Sequence, residues 1–95
     1  MAEERGGAKG ANPEEEINKY RKLLDRDPKS RAFAPLAEAY RKAGLLDEAI
    51  ATAREGLNSN PGYFGGRVAL GRALFEKGEF AEARGEFSQV VQAVP

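Results

Sequence analysis

The chain has no cysteine and no histidine among its 95 residues. Without cysteine there is no disulfide framework and no thiol nucleophile. Without histidine the commonest general base and metal ligand near neutral pH is missing, and with both absent a zinc site is excluded in practice. Three serines remain, Ser30, Ser59 and Ser88, none with a base at a readable spacing. No catalytic, cofactor-binding or metal-ligating set is therefore expected, and the chain does not read as an enzyme.

Net charge is absent too. Fifteen basic residues balance fifteen acidic ones, and the balance holds within each third of the chain. A nucleic-acid binder needs a cationic excess to displace counterions from phosphate, so no nucleic-acid partner is expected. No run of apolar residues is long enough to span a bilayer, and no signal-type apolar stretch lies near Met1. The expected setting is cytoplasmic, with no membrane partner.

β-branched residues are scarce, with a single threonine, whereas alanine is plentiful. That composition favours helix over sheet. Hydrophobic residues make up 41% of the chain and charged residues 32%, which suits one small globular domain.

Residues 1–11 are Gly-rich, polar and without periodicity, and read as a flexible tail ahead of a single domain over 12–95. Gly6, Gly7, Lys9 and Gly10 do not form a phosphate loop, which needs Gly-Lys followed by Ser or Thr after a strand. Asn12-Pro13 with Glu15 three residues after Asn12 has the form of a capped helix start. Ile17, Tyr20 and Leu24 continue it at helical spacing. Breaks at Asp27-Pro28, Gly44, Asn60-Pro61-Gly62 and Gly78 divide the remainder. The expected architecture is all-α and antiparallel, with five helices at about 14–26, 31–43, 47–58, 64–77 and 81–94. Ser30 is the candidate cap of the second helix, and Pro35 is tolerable only in its first turn. Gly65 and Gly66 weaken the start of the fourth by roughly 1 kcal/mol each relative to Ala.

A shift of 34 residues superposes Leu36 on Leu70, Ala39 on Ala73, Gly44 on Gly78, Glu48 on Glu82, Ala49 on Ala83 and Pro61 on Pro95. These identities fall on packing stripes, a turn and a boundary. The first unit reads Phe33-x2-Leu36-Ala37-x2-Tyr40, then Gly44, Ala49, Ala53 and Pro61. The second reads Arg67-x2-Leu70-Gly71-x2-Leu74, then Gly78, Ala83, Phe87 and Pro95. Each resembles the signature of the tetratricopeptide repeats, and Gly44–Ile50 is especially similar to that family's turn and second helix. Residues 14–28 look like the second helix of a preceding unit. Arg67 departs from the pattern by standing where the family prefers an aromatic. Ala53 departs by being small, which predicts a thinner core in the first unit.

The resemblance implies a right-handed superhelix that holds a peptide or helix of a partner protein in a concave groove, without catalysis. The groove stripe is then Arg31, Ala34, Glu38, Arg41 and Lys42 on the second helix. On the fourth it is Gly65, Val68, Arg72, Phe75 and Glu76, with Val68, Arg72 and Phe75 on one face. The alternative for that face is that Phe75 packs against a neighbouring helix and Arg72 is solvated. Family members that clamp the acidic tails of chaperones use several basic or amide side chains. Here the matching places hold Ala34, Glu38, Val68 and Arg72, so no such clamp is expected.

A second surface follows from the repeat pattern. No capping helix follows Pro95 in this sequence, so Phe87, Val90, Val91 and Val94 are candidates for self-association if the fold leaves them uncovered. The alternative function is therefore structural assembly through a weak homodimer or stacking on the last helix. An open Val68–Phe75 stripe favours the adaptor, and an open Phe87–Val94 stripe favours assembly.

Overall fold

The computed structural model describes residues 12–93, which form five α-helices: α1 (Pro13–Arg26), α2 (Phe33–Lys42), α3 (Leu46–Ser59), α4 (Phe64–Lys77) and α5 (Phe80–Ala93). The expected tail over 1–11, and Val94 and Pro95, lie outside the described residues. Helix number and order agree with the sequence reading, and among the described residues there is no strand.

Local chemistry accounts for the helix ends. The Asn12 side chain accepts the Glu14 N–H at 2.8 Å and caps α1. Helix α2 begins two residues later than expected. Ser30 Oγ accepts the Ala32 N–H at 3.0 Å, and Ala34 N–H bonds to the Arg31 carbonyl at 3.1 Å, so Arg31 and Ala32 belong to the turn. Pro35 still falls in the first helical turn, where a missing N–H costs no intrahelical bond. The Asn60 amide donates to the Lys29 carbonyl at 3.0 Å and ties the turn after α1 to the turn after α3.

The 34-residue period is visible in the backbone. Gly44 has φ 82° and Gly78 φ 95°, both left-handed. At the first turn Leu45 N–H bonds to Tyr40 and Gly44 N–H to Arg41. At the second Glu79 bonds to Leu74 and Gly78 to Phe75. These are the same two bonds, moved by one period, and they close each helix before an antiparallel return.

Each helix packs on the next, and α2 also packs on α4. First helices therefore stack on one another, as repeat units do. The main core joins α2, α3, α4 and the start of α5, with Phe33, Ile50, Leu57, Leu70 and Leu74 among its members. A smaller cluster of Ile17, Leu36 and Ala39 seats α1 on α2. Helix α4 buries Gly66, Ala69, Leu70, Gly71, Ala73 and Leu74, because it faces α2, α3 and α5 at once.

Two expectations change here. Gly66 is not simply a weak point. A Cβ there would lie 2.5 Å from the Phe33 ring, and one at Gly56 would lie 1.9 Å from it. The two glycines form the socket that admits Phe33, which is 2% exposed and meets the Tyr63 ring edge-on at 5.9 Å. That ring also supplies volume to the first unit. Ala53 is fully buried in its core, so a small residue there does not leave it open. In the second unit the pattern is reversed. Phe87 lies over Gly71, where a Cβ would stand 2.5 Å from its ring.

Candidate functional site

The face shared by α2 and α4 carries most of the expected groove residues, but it is not uniformly available. Ala34 is a correction: it is 6% exposed and belongs to the main core, because α2 turns this position toward the helices behind it. Arg31 is exposed, and its guanidinium lies over the Tyr63 ring at 4.6 Å, a cation–π contact rather than an open charge. Val68 is half-buried.

Glu38 and Arg41 are bound to each other and to α4. Arg41 Nη2 donates to Glu38 Oε1 at 2.7 Å and Nε to the same oxygen at 3.0 Å, while Nη1 donates to Glu76 Oε2 at 2.7 Å. Arg72 Nη1 stands 3.5 Å from Glu38 Oε2. The Arg41 pKa is raised, first by the hydrogen bonds to Glu38, against partial desolvation, and then by Glu76. Two positive and two negative side chains thus satisfy one another across the groove floor. Such a lattice fixes the register of α2 on α4 and leaves little net charge to attract a ligand.

Phe75 is different. Its side chain is 57% exposed on α4, beside Arg72, and its ring meets Phe80 at 5.1 Å in an edge-to-face contact. Arg41, Arg72, Phe75, Glu76 and Phe87 line a concavity of about 370 Å³. A second concavity of about 500 Å³ opens on the other side of Phe75, over Phe80, Ala83, Phe87 and Val91, with Arg84 at its edge. One aromatic therefore joins the groove to the end face of α5.

On that end face the expected self-association residues divide. Phe87 and Val90 are half-buried, Phe87 against the core, whereas Val91 is 70% exposed. Phe80, 59% exposed, belongs to the surface and was missed as a site residue. The available signal was its register: one period earlier stands Leu46, on the same stripe as the buried Ala49 and Ile50.

The half-buried pair Arg67–Glu86, at 3.0 Å, joins α4 to α5 where an aromatic would otherwise stand, and Arg67 also donates to the Pro61 carbonyl at 3.1 Å. This set of paired helices, repeated turns and stacked first helices agrees with the comparison to known families. A family model described as tetratricopeptide repeat matches residues 17–64 and again 34–95. The chain belongs to the tetratricopeptide repeat family. No curated protein matches it.

Tetratricopeptide repeats generally mediate protein–protein interaction and are typically non-catalytic scaffolds. Among the described residues no helix is long and apolar enough to cross a membrane. Phe75 borders two openings on these tetratricopeptide units, one lined mainly by apolar side chains and one shared with Arg41, Arg72 and Glu76.

Proposed function

We propose that this chain is a protein-binding adaptor that holds a segment of a partner against the α2–α4 groove, with Phe75 as the anchor and Arg72 beside it. The observation that carries the reading is the exposure of Phe75 on the groove side of a family that works by protein contact. An aromatic next to an arginine has the composition of an interface hot spot. Arg31, Glu38 and Arg41 act as the groove's frame, since their charges are engaged at Tyr63 and Glu76 and with one another. Arg72 also borders Glu38, which argues against a clamp for acidic tails.

A photo-crosslinking amino acid at position 75 tests this in the host. It should capture a discrete partner that the same group at the exposed position 48 on α3 does not. Equal capture from both positions, or capture only from 48, would refute the groove.

A second reading has its own observation. Val91, 70% exposed beside Phe80, supports a role for the end face in assembly, by self-association or by stacking. A shift in sedimentation that Val91→Glu removes would favour it.

A further inference from the structure

The two units carry the same crevice with different contents. Helices α1 and α3 both pack on α2, and α3 and α5 both pack on α4, so each first helix is the floor between two second helices. The crevice of the first unit, about 490 Å³, has Leu24, Phe33, Leu36 and Thr52 among its lining residues. That of the second, about 580 Å³, has Asn58, Arg67, Leu70 and Glu86, which are the same positions moved by one period. Pro28 lines the first and Pro61 the second. Both crevices lie between helices already in place, and the second stays open beside α5, so neither is a face that a further repeat would cover.

The second crevice shows what such a place holds. Arg67 lies in it, 20% exposed, with Nη1 donating to Glu86 Oε1 at 3.0 Å and Nη2 to the Pro61 carbonyl at 3.1 Å. The first crevice lacks that side chain, because position 33 is Phe and its ring is sunk in the socket of Gly56 and Gly66. Its walls carry carboxylates instead: Asp25 on α1 and Glu55 on α3, both exposed and neither in an ion pair among the described residues. Their counterparts one period later, Ser59 and Gln89, are neutral. Lys29 is the one cation lining the first crevice, so two carboxylates stand against one ammonium.

We infer that the crevice over α2 binds an arginine side chain of a partner protein. The methylene stem packs on Leu24 and Pro28, and the guanidinium reaches Asp25 and Glu55. Arginine suits the place better than lysine. Its planar, weakly hydrated head has donors for two acceptors at once, as Arg67 has for a carboxylate and a carbonyl. The crevice shares no lining residue with the opening beside Phe75 in the α2–α4 groove, so the inference stands apart from the adaptor reading.

The probe is the blocked peptide acetyl-Ala-Arg-Ala-amide, titrated into the isotope-labelled full chain and followed by backbone amide NMR shifts. Versions with citrulline or lysine in place of the arginine are the controls. Saturable shifts should map to residues 24–29 and 52–59, and the arginine peptide should bind at least about fivefold more tightly than its uncharged citrulline isostere. Asp25→Asn with Glu55→Gln should abolish that preference, whereas Lys29→Gln should strengthen binding by about twofold. All three positions are exposed, so the variants should keep the parent circular dichroism spectrum. The inference is overturned by no saturable shift, by equal affinity for arginine and citrulline, by a preference that survives the double variant, or by shifts centred on Phe75. Lysine bound as tightly as arginine overturns the choice of side chain. Binding that appears only after Arg5→Gln assigns the crevice to the chain's own arginine, and a dimer in sedimentation that the arginine peptide dissociates assigns it to a second copy. Either result removes the partner.

Discussion

The Phe33 socket offers the sharpest test of the packing. Gly56→Ala places a methyl where the nearest ring atoms of Phe33 lie at 1.9, 2.1 and 2.4 Å. The ring has little space in which to retreat, because Gly66 on α4 approaches its far end and the residue is 2% exposed. Two effects compete. Alanine is better than glycine in a helix by about 1 kcal/mol. Overpacking a filled core costs about 1–3 kcal/mol, and an overlap this deep belongs at the upper end. The expected result is a net loss of about 1–2 kcal/mol, read from urea unfolding with an unchanged slope. Gly85→Ala in α5 is the internal control, since a Cβ there meets nothing within 4 Å. It should stabilise by about 0.5–1 kcal/mol through propensity alone. In a Phe33→Leu background the Gly56→Ala cost should fall by about 1 kcal/mol or more, because the two sites share one volume. A Gly56→Ala protein as stable as the parent, or a cost unchanged by Phe33→Leu, would refute the socket.

Two further expectations concern charge. Arg67→Met should destabilise the fold by about 1–2 kcal/mol by leaving Glu86 half-buried without its partner, whereas Arg67→Met with Glu86→Leu should recover to within about 1 kcal/mol of the parent. Lys77 has its pKa raised above 10.5 by its hydrogen bond to Asp47, so the stabilisation is present below pH 10.5 and lost as pH rises through the folded value. The melting temperature should therefore fall less steeply above pH 10.5 in Lys77→Met than in the parent, and equal slopes would count against the link.

Much of the fold was legible because the sequence marks its turns chemically. Asn12-Pro13, Asp27-Pro28, Gly44, Asn60-Pro61 and Gly78 punctuate five helical stretches, and each mark falls at or beside a helix end. The start of α2 was displaced because Ser30 bonds to the Ala32 N–H inside a turn, and a hydroxyl capping a turn looks in sequence like one capping a helix. The groove was half legible. Spacing placed Arg72 and Phe75 on one face, but could not say that Ala34 turns inward or that Glu38 and Arg41 satisfy each other and α4. Those outcomes depend on which helix lies behind α2. Gly56 and Gly66 were illegible as a pair because the ring that needs both comes from a third helix.

The two departures from the repeat pattern are connected through volume. The first unit has Phe33 with Ala37 and Ala53, and the second has Arg67 with Gly71 and Phe87. An aromatic occupies the first helix in one unit and the second helix in the other, with a small residue opposite each time. In the first unit the ring fills a socket between α3 and α4 and is closed off by them. In the second, the ring over Gly71 lies against the last helix pair, and its outer side lines the open end face. Moving the aromatic from position 67 to 87 thus does two things. It leaves an ion pair, Arg67–Glu86, to hold α4 on α5, and it carries apolar surface outward to where Phe75, Phe80 and Val91 meet. Leu57, one period before Val91, is covered once a helix lies upon it. The same surface in the second unit is therefore the counterpart of the one that α4 covers in the first, with Phe87 in the place of Ala53 and Val91 in that of Leu57.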